Sequence, residues 1–233
     1  MNFIKMLRPK TWLSGAISHS TIVFALLLSL QTSFEKTLLL TLFFAFFEST
    51  LASYSYLLNS SIESNDSNEK WLFALAVLTL LFSFLISPVA VAFAITSLLL
   101  STAYSLPPFR LKSKGIFGLI AISLSASALP ILMVSFSASF FNLFTFSTAL
   151  LMGLLQLLFE MPHQISHINE DTKNSEKTFA VKSGRKKAIA FSKILLASFF
   201  ALLILFQLIF GQLLLSAAFL VVCARTSLIV LRL

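Results

Sequence analysis

The feature that most restricts the fold is a succession of long apolar runs, each close to the length of a bilayer crossing and separated by short polar connectors. A spanning helix needs about 20 mostly apolar residues. Eight such runs are readable: about Thr11–Leu30, Lys36–Leu58, Trp71–Ile86, a fourth ending near Tyr104, Gly115–Phe136, Phe141–Ile168, Ala188–Phe210 and Leu213–Val230. Hydrocarbon offers no water to the backbone, so a segment inside it must be a helix or part of a closed barrel. Barrel strands would read as short alternating segments, and the chain has none. Ser, Ala and Thr recur within the runs, and small residues let packed helices approach. The expected fold is all-α, a multi-pass transmembrane bundle of about eight spans forming one domain over residues 1–233. The 26 phenylalanines are read as lipid-facing or core filling.

Charge placement gives the orientation. Hydrophobic residues make up 58% of the chain and charged residues only 11%, against roughly a quarter charged in soluble domains. The net charge of +8 does not suggest nucleic acid, because the basic residues sit at the ends of the runs. Lys5, Arg8 and Lys10 precede the first run, and Lys70 follows the second. Arg110, Lys112 and Lys114 follow the fourth, six basic residues from Lys173 to Lys187 follow the sixth, and Arg225 and Arg232 lie near the end. With eight spans all of these fall on one side, while the other side carries only Glu35 and Lys36. Positive loops stay cytoplasmic, so both termini are expected there, in a protein of the cell membrane. The basic opening leads into a run too long for a signal-peptide core, so the first helix is expected to be retained. The single cysteine, Cys223, excludes a disulfide framework and a cysteine metal site.

Two polar knots interrupt this pattern on the same face. The first is Asn59-Ser-Ser-Ile-Glu-Ser-Asn-Asp66; the second runs from Glu160 to Asp171 and on through Lys173 to Gly184. At helical spacing Glu160, His163, His167 and Asp171 share one face and can converge on one ligand. A carboxylate near the middle of a span costs about 2.5–3.5 kcal/mol, so retained ones pair or serve a site. Glu48 is read as bonded to a neighbouring helix, and Glu160 as part of a site. Carboxylates on facing helices suit Mg²⁺, which binds through one or two of them plus substrate phosphates. That chemistry fits a diphosphate, whose departure a metal assists and whose oxygens loop cations can clamp. Glu160-x-x-His163 also has the spacing used in di-iron bundles, in a single copy.

The string Tyr104-Ser-Leu-Pro-Pro-Phe-Arg-Leu-Lys112 closely resembles the loop after the fourth helix of the UbiA-type intramembrane prenyltransferases. The Arg8-Pro9…Trp12 opening, the Asn59 knot and the segment from His167 through Thr178-Phe-Ala-Val to Gly184 follow in the family's order. The resemblance implies a prenyl diphosphate bound through Mg²⁺ by two aspartate-rich motifs, with an acceptor attacking its allylic carbon. The expected acceptor is hydrophobic: a quinone precursor, carotenoid or lipid. The motifs depart from the family pattern. Ser60 and Ser67 replace the first and third acids of the first motif, Glu63 stands for the second, and Asp66 comes one residue early. In the second motif His167 replaces the first acid, Asp171 keeps the second, and Ser175 stands where glycine is usual. The resemblance therefore makes Asn59, Glu63 and Asp171 the expected metal–diphosphate contacts, with Asp66 and His167 as further ligands. Arg8, Arg110, Lys112, His163 and Lys173 are expected to bind substrate, and Tyr104 to orient it. A degenerate relative that binds isoprenoids or partners without turnover is the alternative, and a redox-metal enzyme a third.

Overall fold

The computed structural model describes residues 9–64 and 68–233, with side chains from residue 13 onward except those of 63, 64 and 225. Each apolar run is helical. The order is α1 Pro9–Ser29, α2 Phe34–Ser64, α3 Glu69–Ile86, α4 Ala90–Ser105, α5 Ile116–Ser137, α6 Leu143–Lys173, a short α7 Phe179–Ser183, α8 Arg185–Phe210 and α9 Leu213–Arg232. Among the described residues, five helices are long and apolar enough to cross a membrane. A sixth crossing comes from α9 if its two parts, bent by 46°, count as one span. Leu13–Ser29 and Ala90–Ser105 are apolar but shorter.

Prolines explain the short members. Ser87 precedes Pro88 and is extended (φ −172°, ψ 158°), because proline's ring disfavours the helical region for the residue before it. Leu106 is extended before Pro107 in the same way, so α4 is confined between two such breaks. Within α5, residues Leu124–Ala128 form a π-helical turn immediately before Pro130. Proline cannot donate to the helical ladder, and the turn preceding it reorganises. Helix α6 opens with a reciprocal capping box between Asn142 and Thr145, satisfying donors that a helix start otherwise leaves orphaned. Gly211, at φ 64°, closes α8 in the left-handed conformation that glycine adopts freely.

Each long helix packs on its sequence neighbours, and α9 returns to α1, closing a ring. Phe44, Phe47, Phe199 and Phe219 are fully buried within it, together with Ile22, Leu26, Leu57 and Ile131. Phe73, Leu208 and Val221, each more than 70% exposed, belong to the apolar exterior that suits lipid contact. Hydroxyl pairs cross between helices: Tyr54 to Thr102 at 2.8 Å joins α2 to α4, and Thr79 to Thr50 at 3.0 Å joins α3 to α2. At one end of the bundle Ser87 bonds Ser137 at 2.7 Å, tying the α3–α4 turn to the end of α5. The opposite end holds the described part of the first polar knot, from Asn59 to the end of α2, and the second knot.

Candidate functional site

Lys112 is the centre of the polar end. It lies on a 3₁₀ turn, Leu111–Lys114, between α4 and α5 and is 7% exposed. Its ammonium donates to Asn59 Oδ1 at 2.8 Å and meets Glu176 Oε1 at 3.0 Å. One buried cation thus links the end of α2 to the connector after α6. Glu176, 8% exposed, also accepts from Ser113 Oγ at 2.7 Å and pairs with Arg110. Burial pushes the Glu176 carboxyl upward, but hydrogen bonds from Ser113 and Lys112 and the charges of Lys112 and Arg110 outweigh it and hold the group below its ordinary value.

Local backbone explains why these groups meet. A side chain at Gly118 would place its Cβ 2.8 Å from the Leu111 carbonyl oxygen. Glycine there lets the turn carrying Lys112 lie directly against α5. After α6, Ser175 turns the chain at φ 57°, the left-handed region that glycine enters at least cost. Glu176 N–H then donates to the Asp171 carbonyl at 2.8 Å, and Thr178 Oγ1 donates to Asp171 Oδ2 at 3.1 Å. Gln164 anchors the returning connector. Its Nε2 donates to Glu160 Oε1 at 3.0 Å, while its Oε1 accepts the Ala180 N–H at 3.4 Å. Tyr104, half-buried at the end of α4, feels the carboxylates of Glu160, Asp171 and Glu176.

The expected residues separate into groups. Asn59, Tyr104, Arg110, Lys112 and Asp171 gather at this end through the contacts above. Lys173 is exposed at the close of α6. His163 and His167 are exposed, with ring centroids 4.6 Å apart, and His167 Nδ1 lies 2.8 Å from Glu170. The shared face predicted for Glu160, His163, His167 and Asp171 therefore divides: the carboxylates turn to Gln164 and Thr178, the imidazoles to each other and Glu170. Arg8 and Asp66, and the side chain of Glu63, lie outside the described residues. Sequence reasoning missed Glu176. Its one signal was its place in the charged segment after α6, where a solvated role was equally readable.

Among the described residues, no three His, Cys, Asp or Glu side chains form a group able to hold a metal ion. A di-iron centre requires more carboxylate and imidazole ligands than this. Its one expected pair is also divided, with Glu160 accepting from Gln164 and the His163 ring packed at a tilt of 52° against His167. Mg²⁺ has different needs, since it binds through one or two carboxylates and completes its shell with water and phosphate oxygens. Asn59, bonded to Lys112, and Asp171, whose backbone carbonyl accepts from Glu176, supply hard oxygens that fit that chemistry.

Comparison with known proteins agrees with this architecture. The UbiA prenyltransferase family matches over residues 70–233. A UbiA homologue from Archaeoglobus fulgidus, in a structure bound to Cd²⁺, superposes with a TM-score of 0.78 at 17% identity, covering 100% of this chain and 87% of that one. The same homologue bound to GPP and Mg²⁺ gives 0.77 at 16% identity over 99% and 86% of the two chains. Bound to DMAPP and Mg²⁺ it gives 0.74 at 16% identity over 100% and 86%. No curated protein matches the sequence. The family match spans most of the chain and the fold similarity nearly all of it: the protein belongs to the UbiA prenyltransferase family.

Proposed function

We propose that the protein transfers a prenyl group from an allylic prenyl diphosphate to a hydrophobic acceptor, a quinone precursor, carotenoid or lipid, at the cytoplasmic face of the cell membrane. The observation that carries this reading is the bridge of Lys112 to Asn59 and Glu176, which brings both polar knots to one site beside the Tyr104–Lys112 loop. Family membership supports prenyl transfer as the reaction. The homologue's complexes with GPP or DMAPP and Mg²⁺ support the donor class.

In this reading Lys112 and Arg110 hold the anionic head, charge-assisted bonds being the strong ones. Glu176 and Asn59 position Lys112, and the Tyr104 hydroxyl orients the phosphates. Asn59, Glu63 and Asp171 would hold Mg²⁺, with Asp66 as a further ligand. When bound, the ion neutralises charge that develops on the departing diphosphate. The allylic C–O bond breaks, the acceptor forms a bond to the same carbon, and pyrophosphate and the acceptor's proton are released. His167 would be a further ligand through Nε2, its Nδ1 lying against the Glu170 carboxylate that orients the ring.

Purified protein supplied with Mg²⁺, labelled prenyl diphosphates and a panel of acceptors should release pyrophosphate and form a prenylated product. Failure across quinone precursors, carotenoids and lipids would remove the transfer reading. The replacement of motif acids by Ser60, Ser67 and His167 favours a second reading, in which the protein binds isoprenoids or partners without turnover. Asp at all three positions should then create activity if weak metal affinity is the cause, and no gain would count against that explanation.

A further inference from the structure

The chain has three histidines. His19 is buried against Glu48, whereas His163 and His167 are exposed on α6 at the polar end. These two stand four residues apart, so both imidazoles lie on one face of the helix. Their ring centroids are 4.6 Å apart. Two imidazoles on one zinc ion, with Zn–N bonds of about 2.0–2.1 Å and a near-tetrahedral angle, hold their centroids about 5 Å apart. A small rotation of two exposed side chains takes the observed pair to that spacing.

Glu170 sets the tautomer of one member. His167 Nδ1 lies 2.8 Å from Glu170 Oε2. A carboxylate only accepts, so Nδ1 carries the proton and donates, and Nε2 of the neutral ring keeps its lone pair for an ion. Metal-ligating histidines are oriented in this way, the second nitrogen donating to a carboxylate. The acids to either side are engaged elsewhere, Glu160 accepting from Gln164 and Asp171 from Thr178. The protein's share of the site is thus two imidazole nitrogens, with water completing the shell. Imidazole suits zinc, copper and nickel, whereas Mg²⁺ prefers oxygen. Structural zinc takes four protein ligands, so binding through two is exchangeable. Pro162, inside α6 just before His163, removes the helical hydrogen bond to Leu158. An ion joining His163 to His167 clamps the turn that follows this gap.

We propose that His163 and His167 form a site for a divalent late transition-metal ion of the Zn²⁺ type, which ties together the turn of α6 after Pro162. The ion takes the same Nε2 that His167 would lend to Mg²⁺ during prenyl transfer and so competes for that ring. Its binding is independent of transfer and is read without substrate.

The test uses the full-length protein in nanodiscs, free of any polyhistidine extension. It is titrated with Zn²⁺ against a zinc-indicator dye in excess Mg²⁺, at mildly alkaline pH where imidazole is neutral. Saturable, stoichiometric binding is expected, with slower hydrogen exchange in the turn after Pro162. His163→Ala and His167→Ala should each weaken binding about a hundredfold, because each removes the chelate. Glu170→Gln should weaken it about tenfold. Asp171→Asn, which removes a proposed diphosphate contact, should leave stoichiometric binding in place. Absence of saturable binding overturns the proposal, as does binding that survives either histidine substitution or leaves exchange in that turn unaltered. So does loss of binding in Asp171→Asn alone, which would put the ion at the diphosphate site.

Discussion

Among the described residues, two buried clusters of ionisable side chains are built on different plans. At the polar end Glu176 is held by Ser113, Arg110 and Lys112, and Lys112 is further held by Asn59. In the bundle interior Glu48 has His19 alone, and one of its oxygens has nothing. A buried ion pair stabilises only when the remaining lone pairs and protons are satisfied. The end cluster fixes the end of α2 and two connectors in register, whereas the interior cluster leaves one carboxylate oxygen without a partner.

The largest expected effect breaks the interior pair unequally. His19→Leu leaves Glu48 uncompensated and should destabilise the protein by about 3–5 kcal/mol, whereas His19→Leu with Glu48→Leu should be near neutral. Denaturation in detergent, with all four members of the cycle, checks this. Equal losses in the single and double variants would show that packing, not charge, dominates there. At the other cluster Lys112→Met should cost about 3 kcal/mol, the low end for a broken buried pair, because Ser113 and Arg110 still hold Glu176. It should also abolish pyrophosphate release. A fully active Lys112→Met protein would separate the cluster from catalysis.

Gly118→Ala should act at one remove, since the new Cβ forces the turn carrying Lys112 away from α5. A loss of about tenfold in kcat/KM, or about 1.4 kcal/mol, is expected with little change in helix content. The Glu176 carboxyl is held below its ordinary value, so its stabilising contribution is fully present above the unfolded carboxylate pKa of about 4.3 and is lost as pH falls through the lower folded value. Unfolding midpoints should drop with acid in that window for the native protein and drop less for Glu176→Gln. The smallest effect is a gain. Ser175→Gly relieves a left-handed residue and should stabilise the turn by about 1 kcal/mol.

Much of this was legible in the chain because hydrocarbon imposes length and polarity on whole segments. All of the apolar runs became helices, and Pro88 and Pro107 marked real ends. Loop charge put Asn59 and Lys112 on one face, though not in contact, and Glu48 does face a neighbouring helix. Periodicity gave the face on which Glu160, His163, His167 and Asp171 lie but not what covers it. Gln164, Thr178 and Glu170 are closer partners and divided the set. Glu176 resembled any solvated acid until the left-handed turn at Ser175 brought it back under Lys112. His19, a single imidazole in an apolar run, gave no spacing to read; only the packing of α1 on α2 makes it the partner of Glu48.

In the proposed function the end of α2, the end of α6 and the connector after it grip one diphosphate head. Equilibrium binding of labelled geranyl diphosphate to the purified protein, with and without Mg²⁺, tests it most directly. The account predicts saturable, Mg²⁺-dependent binding that unlabelled pyrophosphate displaces and that both Asp171→Asn and Lys112→Met eliminate. Binding that ignores Mg²⁺ and survives both substitutions, or no binding at all, would contradict it.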